Sequence, residues 1–339
     1  MTEAQNGPLK LLLSAHALKT WEAQIQSVMP SGLLQFITAE DAGASEIPCD
    51  ATIAFMTREV TGNSSKGNAT PELRNFAKCL RKSPSLRWLQ IHPAGAELPI
   101  YRELRSRGVK VTTASGATAT TVAHSALGGL IAINRRFPLL MDAQRRHAWE
   151  PRLGPDSPRD FKGQTAVIVG LGPIGQNLGK LLKVLGIHVI GVRRSQEAMR
   201  CCDRTITYAG LAEVIPAADV LVLCCPASEL TRKLANARMF AAMPPGSLVV
   251  NVSRGEVVVE ADLIAALKSG HIAGAFLDVF EREPLDPESP LWQLPNVIVT
   301  PHTASHSQGQ NEAIFDIFLD NLARWREGRP LRNDVDRLG

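Results

Sequence analysis

Short apolar runs alternate with helix-like stretches from the start of the chain. The first series of predicted strands is Leu9–Ser14, Leu33–Ile37, Ala51–Met56, Leu86–Ile91 and Val109–Thr112. Helical spacing of apolar residues separates these strands at Leu18–Val28, Pro71–Arg81 and Leu98–Ser106. Regular alternation of strand and helix is typical of a parallel sheet with helices on both faces. The first third of the chain is therefore predicted to form an α/β unit.

A second series of the same kind begins near residue 165. Its predicted strands are Thr165–Val169, His188–Val192, Val220–Cys224, Ser247–Asn251, Ala275–Val279 and Val297–Thr300. Between the two series, the apolar spacing within Ala117–His147 predicts one long buried helix, and Pro151–Pro158 predicts a loop. The fold class is therefore α/β, with two doubly wound parallel-sheet domains.

Composition narrows the class of protein further. The 339 residues are 45% hydrophobic and 21% charged, which suits a globular protein with a sizeable core. The net charge is only +4 and no basic block occurs, so we expect no nucleic-acid partner. The sequence predicts neither a membrane helix nor a secretory signal, and we expect a cytoplasmic protein. The six cysteines form no CxxC pair, so we expect neither a disulfide framework nor a metal site.

A glycine-rich turn follows the first strand of the second series. Residues 165–175 read TAVIVGLGPIG, and a helical pattern comes next. In such turns the first glycine permits the sharp bend, the second lets a pyrophosphate approach the backbone, and the third lets the helix lie close to the strand. The free N–H groups of the helix then attract phosphate. The turn predicts a dinucleotide site, rather than a tight βα turn alone, at Gly170, Leu171, Gly172, Pro173, Ile174 and Gly175.

The next predicted strand ends in arginine where an NAD site would have an acid. Such an acid accepts hydrogen bonds from the ribose hydroxyls. Here Val192 is followed by Arg193, Arg194 and Ser195, and Arg193 stands 18 residues after Gly175. A guanidinium pairs with a 2′-phosphate that a carboxylate would repel. We therefore expect NADP(H) rather than NAD(H). The alternative is that both arginines are only a solvated strand end.

Three later segments carry polar residues after predicted strands. They are residues 251–255 (NVSRG), 273–285 (AGAFLDVFEREPL) and 296–302 (NVIVTPH), followed by Asn321-Leu322 and Gly328-Arg329-Pro330. In order and spacing they resemble the signatures of the D-isomer-specific 2-hydroxyacid dehydrogenases, especially the NADP-dependent glyoxylate/hydroxypyruvate reductases. The resemblance covers nearly the whole second series. It implies a catalytic arginine, glutamate and histidine at Arg254, Glu283 and His302.

The chemistry of 2-keto acid reduction fits these three residue types. The planar guanidinium of Arg254 matches a substrate carboxylate, and the charge polarises the carbonyl. Imidazole exchanges a proton near neutral pH, so His302 is the expected acid. A carboxylate at Glu283 would orient that ring and raise its pKa. Taken singly, each could instead be a surface charge or a loop histidine, but all three lie where open α/β sheets bind ligands.

The resemblance implies further contacts along the cofactor. By this likeness Asp278 holds the nicotinamide carboxamide, and Val252 and Ser253 lie along the nicotinamide ribose. Cys225 and Pro226 lie on the adenosine side, or they serve simple core packing.

In the first unit the resemblance points to a small-residue loop. The backbone N–H groups of Ala94 and Gly95 are expected to bind the substrate carboxylate, next to Arg254 and His302. The chain departs from the family pattern at His124, where a glutamate is usual, and at Val259, where an aspartate is common. Neither belongs to the catalytic set, and we expect His124 to pack in its helix rather than to act as a second acid.

The resemblance also implies how the chain is divided. Residues 1–115 and 306–339 would form a flavodoxin-like substrate domain, and residues 116–305 a Rossmann cofactor domain, with the active site in the cleft between them. The linking helix contributes to a two-fold dimer in such enzymes, so we expect a homodimer. Trp149 follows that helix and could reach a neighbouring active site or pack within its own chain.

We expect NADPH-dependent reduction of a small 2-keto acid to the D-2-hydroxy acid, with hydride from the nicotinamide and a proton from His302. Glyoxylate and hydroxypyruvate are the favoured substrates. One alternative is NAD-dependent oxidation of another small acid, namely a D-2-hydroxy acid, formate or phosphite, which Arg193 disfavours. The other alternative is a non-catalytic protein that senses dinucleotides.

Overall fold

The computed structural model describes residues 8–44, 49–62, 69–96, 98–151, 154 and 157–337. The chain forms two compact units. The first comprises Met1–Ala117 and Gln308–Gly339, and the second comprises Thr118–Ser307. Over the described ranges, no helix combines the length and the apolar character that crossing a membrane requires.

A five-stranded parallel sheet forms the centre of the first unit. Its strands are β1 (Leu9–Leu13), β2 (Leu34–Thr38), β3 (Ile53–Met56), β4 (Trp88–Ile91) and β5 (Lys110–Thr112). Their order is β2-β1-β3-β4-β5, which is the flavodoxin-like arrangement. The helices that follow these strands are α1 (Ala15–Val28), α2 (Ala39–Ala44), α3 (Arg58–Thr61), α4 (Pro71–Arg81) and α5 (Pro99–Ser106). The predicted α/β fold of this unit is confirmed.

The linking segment forms two helices, so the prediction of one long helix is wrong. The helices are α6 (Ala119–Asn134) and α7 (Phe137–Arg145). Arg136 between them has a left-handed backbone, with φ +60°. Pro138 lies in the first turn of α7, where its missing N–H costs nothing, whereas a continuous helix would clash with the proline ring.

Two side chains of this segment differ from the expected packing. His124 is exposed, because it lies just outside the stripe of α6 that buries Val122, Ala126 and Leu130. The expected packing role of His124 is therefore wrong. Trp149 is 97% exposed, so it does not pack within its own chain.

The second unit contains a seven-stranded parallel sheet. Its strands are β6 (Thr165–Val169), β7 (His188–Arg193), β8 (Arg204–Thr207), β9 (Val220–Leu223), β10 (Ser247–Asn251), β11 (Ile272–Leu277) and β12 (Val297–Val299). The order β12-β11-β10-β9-β6-β7-β8 is the Rossmann order extended by one strand. The sheet order reverses between β6 and β9, where the doubly wound fold leaves a crevice. The predicted Rossmann fold is confirmed, and β8 is an edge strand that the sequence analysis missed.

Helices cover both faces of this second sheet. Besides α6 they are α8 (Pro173–Val184), α9 (Leu211–Val214), α10 (Ala237–Ala242) and α11 (Glu260–Lys268), while α7 packs against α6. Gly129 of α6 lies against Phe276 of β11, and a Cβ at Gly129 would approach the Phe276 ring to 2.2 Å. The glycine therefore allows the helix to lie directly on the sheet.

The last helix, α12 (Gln310–Arg326), completes the core of the first unit. Its aromatic residues stack on those of the sheet and of α1. Phe318 lies 4.4 Å from Phe55, and Phe315 lies 4.5 Å from Trp21, between ring centroids. Burying such a side chain stabilises a fold by about 1.5–3 kcal/mol, so α12 is an integral part of this unit.

Candidate active site

The turn between β6 and α8 has the geometry of a phosphate site. Gly170 has φ +103°, and a Cβ there would lie 2.6 Å from the backbone nitrogen of Cys225. A Cβ at Gly175 would lie 2.0 Å from the carbonyl oxygen of Gly170. At Gly172, the N-cap of α8, a Cβ would meet nothing within 4 Å in the described structure. Gly170 and Gly175 thus permit close packing, while Gly172 leaves room for a ligand at the start of the helix.

The other residues of this turn hold its shape. Leu171 is buried, and its carbonyl oxygen accepts a hydrogen bond from the side chain of Gln176 at 2.9 Å. Pro173 occupies the first turn of α8, and Ile174 is half-buried behind it. The turn is therefore anchored by its apolar side chains, and its backbone stays accessible.

Arg193 ends β7 at the same edge of the sheet. Its Nη1 atom lies 3.4 Å from Oε2 of Glu197 and 3.0 Å from the sulfur of Met199. Arg194 and Ser195 are exposed. Because β7 pairs with β6, these cations follow the strand next to the glycine turn. Glu197 was not predicted as part of this region, although an acid four residues after an arginine is a spacing that favours an ion pair.

Arg254 stands in a tightly held loop after β10. The backbone N–H and the hydroxyl of buried Ser253 both donate to Oδ1 of Asn251, at 3.1 and 2.7 Å. Nη1 of half-buried Arg254 donates to the carbonyl of Ser253 at 2.8 Å. A Cβ at Gly255 would lie 1.8 Å from the carbonyl carbon of Phe280. Only glycine fits there, so the position of the arginine depends on its neighbour.

Asp278 follows β11 and fixes the segment that carries the histidine. Its buried carboxylate accepts hydrogen bonds from the hydroxyl of Thr300 at 2.7 Å and from the N–H groups of Thr303 and Ala304 at 2.8 and 3.0 Å. Its backbone carbonyl accepts from the N–H of His302 at 2.9 Å. In this structure the carboxylate therefore organises the loop after β12. Its predicted contact with a nicotinamide carboxamide stays a prediction.

Glu283 and His302 form a hydrogen-bonded ion pair. Nδ1 of His302 lies 2.8 Å from Oε2 of Glu283, while Oε1 of Glu283 accepts the N–H of Phe280 at 3.1 Å. This contact raises the pKa of His302, although burial and the charge of Arg254 act against it. Burial opposes ionisation of Glu283, but His302 and Arg254 outweigh it and lower the pKa of that carboxyl. The pair thus consists of a carboxylate and a readily protonated imidazole.

Arg254, Glu283 and His302 follow strands of one sheet, and their charges act on one another. A guanidinium next to an imidazole held by a carboxylate can bind an anionic substrate and supply a proton to it. His302 has φ +54°, a backbone conformation that few residues adopt, and it is imposed by the surrounding hydrogen bonds. No group of three His, Cys, Asp or Glu side chains suited to a metal ion occurs in the described residues.

The switch point between β6 and β9 brings the remaining predicted cofactor residues to the sheet edge. Cys225 and Pro226 follow β9, and burial raises the pKa of Cys225 to about 11, so its thiol stays neutral. Val252 is buried directly after β10. Tyr208, which the sequence analysis missed, lies near Cys225 and Arg194, and burial raises its pKa to about 12. Tyr208 could not be placed at this edge from the sequence, because β8, the strand that precedes it, was not predicted.

In the first unit, Ala94 and Gly95 lie in the loop after β4. Ala94 is exposed and Gly95 is half-buried. His92, at the end of β4, is a titratable group to which the sequence analysis gave no role. Burial and the charge of Arg58 lower the pKa of His92 to about 4, so its ring is neutral at physiological pH.

Comparison with known proteins gives one consistent result. Residues 127–304 match the sequence profile of the D-isomer specific 2-hydroxyacid dehydrogenase, NAD binding domain. An (S)-sulfolactate dehydrogenase from Chromohalobacter salexigens is 34% identical, over 84% of this chain and 95% of its own length. A glyoxylate/hydroxypyruvate reductase from Arabidopsis thaliana is 32% identical, over 74% of this chain and 77% of its own.

Solved structures give the same picture. The NADPH-dependent glyoxylate/hydroxypyruvate reductase of Sinorhizobium meliloti, solved with NADP and sulfate, has a TM-score of 0.75 and 28% identity to this chain. The match covers 98% of this chain and 99% of that one.

Proposed function

This chain belongs to the D-isomer-specific 2-hydroxyacid dehydrogenases, and from that premise we propose that it uses NADPH to reduce a small 2-keto acid. It is an oxidoreductase with a nicotinamide-binding domain. The observation that carries the finer proposal is the hydrogen-bonded Glu283–His302 pair beside Arg254, on the sheet that also bears the glycine turn. The product is the D-2-hydroxy acid.

In this proposal each of three side chains has a separate role in the reaction. Arg254 binds the substrate carboxylate and polarises the carbonyl, because its guanidinium donates in a planar fork. His302 donates a proton to the oxygen that becomes the hydroxyl. Glu283 holds the imidazole in place and stabilises its protonated form, as the short contact at 2.8 Å supports. When bound, the reduced nicotinamide supplies the hydride.

The proposed preference for NADPH rests on the end of β7. Arg193 is half-buried, while Arg194 and Ser195 are exposed at the same edge as the glycine turn. No acid ends this strand to repel a 2′-phosphate. The Sinorhizobium meliloti enzyme, which is called NADPH-dependent, supports the same preference for this chain.

The proposed substrates are glyoxylate and hydroxypyruvate. The names of the relatives from Arabidopsis and Sinorhizobium support this class. The backbone N–H groups of Ala94 and Gly95 are proposed as further donors to the substrate carboxylate, because the loop after β4 exposes its backbone at the carboxyl edge of the first sheet.

The direct test is consumption of reduced cofactor, followed by absorbance, with each keto acid and with NADPH and NADH in parallel. We expect faster consumption of NADPH, and a higher KM for NADPH in Arg193→Ala with little change for NADH. An unchanged KM for NADPH in that variant would overturn the role of Arg193. Reduction of NAD by formate or phosphite, or tight binding of NADPH without turnover, would overturn the reductase proposal.

We further propose a homodimer that uses the surface of α7. Large apolar side chains are exposed on this helix, namely Phe137, Leu140 and Met141, and Trp149, which follows the helix, is exposed as well. Contiguous exposed apolar residues are typical of association surfaces. One chain has a mass of 36.7 kDa, and light scattering after size-exclusion chromatography should give twice that mass. Met141→Glu should shift the mass towards the monomer, and a monomeric parent protein would contradict the proposal.

A further inference from the structure

An open cleft of about 460 Å³ lies within the first unit, away from the loops described above. Several of its lining residues stand at or just before the starts of strands, so the cleft lies at the amino-terminal edge of the sheet. The loop after β4, which contains Ala94 and Gly95, lies at the opposite edge. The cleft is lined by Leu9, Met29, Leu33, Arg87, Lys110, Trp325, Arg326, Gly328, Arg329 and Leu331.

The charge of this cleft is one-sided. Four of its lining side chains are cations, and none is an acid. Glu327 lies close by and contacts two of these cations, Arg329 at 2.5 Å (Nε to Oε2) and Arg326 at 3.9 Å (Nη2 to Oε1). Arg87 lies over the ring of Trp325, 5.3 Å from its centroid, and neither Arg87 nor Lys110 has a carboxylate partner among the described side chains. A concave surface with excess positive charge concentrates anions.

The other half of the cleft is apolar. Met29 and Leu331 are buried, and Leu33 is 52% exposed although it is apolar. Trp325 stacks on the fully buried Trp88, with ring centroids 5.6 Å apart and an angle of 21° between the planes. The aromatic floor is thereby tied to the core of the unit. An anion that filled only the cationic half would leave this surface uncovered.

We propose that this cleft binds a nucleoside polyphosphate. The cationic half suits two or more phosphate groups, because guanidinium groups pair with phosphate bidentately. The apolar half suits the base and sugar, since aromatic and aliphatic surfaces bury such rings. A volume of about 460 Å³ exceeds that of an inorganic anion and lies within the range of sites for small organic ligands. The site is separate from the proposed reductase chemistry, which uses residues of the second unit and, in the first unit, only the loop after β4 at the opposite edge of the sheet.

Titration calorimetry of the 339-residue chain with ATP, without divalent cations, tests this proposal. The double variant Lys110→Gln/Arg329→Gln should bind ATP about tenfold more weakly or worse, because it removes two phosphate partners. Arg102→Gln is the matched control, since Arg102 is an exposed arginine of α5 outside the cleft. The Arg102→Gln variant should bind ATP as tightly as the parent protein. The charge-conserving double variant Lys110→Arg/Arg329→Lys should keep most of the ATP affinity, which shows that the glutamine variant loses binding through its missing charges and not through misfolding.

Two further variants distinguish binding of ATP in the cleft from binding elsewhere and from binding through phosphate alone. Arg193→Gln should bind ATP with the affinity of the parent protein. Loss of ATP binding in this variant would place the nucleotide in the second unit instead. Leu33→Ser should weaken ATP but not inorganic tripolyphosphate, because Leu33 belongs to the apolar half. Tripolyphosphate that binds as tightly as ATP, or no saturable binding of ATP to the parent protein, would overturn the proposal.

Discussion

His302 owes its orientation to backbone contacts as much as to its glutamate partner. Its N–H donates to the carbonyl oxygens of both Asp278 and Thr300, at 2.9 and 3.0 Å, and its φ of +54° is left-handed. Asparagine tolerates this backbone conformation better than most residues. A substitution that removes the proton donor can therefore keep the loop.

Changing His302 to asparagine should lower kcat for keto acid reduction about 10²–10⁴-fold, the usual contribution of a general acid. The dissociation constant for NADPH, measured by fluorescence titration, should change little. A large loss of NADPH affinity in parallel with activity would mean that His302 has a structural role instead.

Changing Glu283 to glutamine should move the pH profile of reduction. The acid must be protonated, so the rate falls as pH rises through the pKa of His302. Glu283 is the main cause that raises this pKa, so its loss lowers the pKa and shifts the basic limb of kcat/KM to lower pH. Glu281→Gln is the control, because Glu281 is an exposed acid nearby whose contact is the N–H of Glu260. An unmoved basic limb in the Glu283 variant would refute the coupling.

At the scale of elements, α6 contains two adjacent glycines in opposite environments. A Cβ at Gly128 would meet no described atom within 4 Å, whereas at Gly129 it would meet the ring of Phe276 at 2.2 Å. Neither has a positive φ. The two positions therefore separate the effect of helix propensity from that of packing.

The two alanine variants should change stability in opposite directions. Gly128→Ala should raise the free energy of unfolding by about 0.5–1 kcal/mol, because alanine restricts the unfolded chain. Gly129→Ala should lower it by about 1–3 kcal/mol, because the buried Phe276 must move. Denaturant unfolding followed by circular dichroism measures both, and equal effects would show that α6 does not lie on β11 as described.

The elements that the sequence predicted well are those whose burial leaves a continuous apolar run. The strand of residues 220–223, VLVL, is fully buried and could be read directly. Residues 204–207, RTIT, bury only Ile206 at the sheet edge, so the apolar signal of β8 was too weak. The break between α6 and α7 depends on the left-handed backbone of Arg136, which apolar spacing does not report.

The residues of the candidate site could be named from motifs, but their contacts could not. Nothing in the spacing of Glu283 and His302 gives their distance of 2.8 Å, which depends on how the two loops fold back. The pairing of Arg193 with Glu197 and the binding of Asp278 to the loop after β12 were equally hidden. Such contacts are set by loop geometry, which local sequence determines weakly.

At the scale of the whole molecule, cofactor binding should stabilise the second unit selectively. Saturation at about 100 times Kd adds about 2.7 kcal/mol to the unfolding free energy of the species that binds. NADP should therefore raise the thermal midpoint of that unit more than NAD at equal concentration. A shift by NAD as large as that by NADP would contradict the proposed preference. Arg193→Ala should abolish the difference between them.

The first unit is assembled from two stretches of chain that the entire second unit separates. Phe55 and Trp88 complete their stacks only with Phe318 and Trp325 of α12. During synthesis at about 5–20 residues per second, the ribosome needs roughly 10–40 s to add residues 118–307 before that helix emerges. The second unit can therefore fold first on the ribosome, while the aromatic face of the earlier strands stays uncovered and becomes the natural surface for a chaperone to shield.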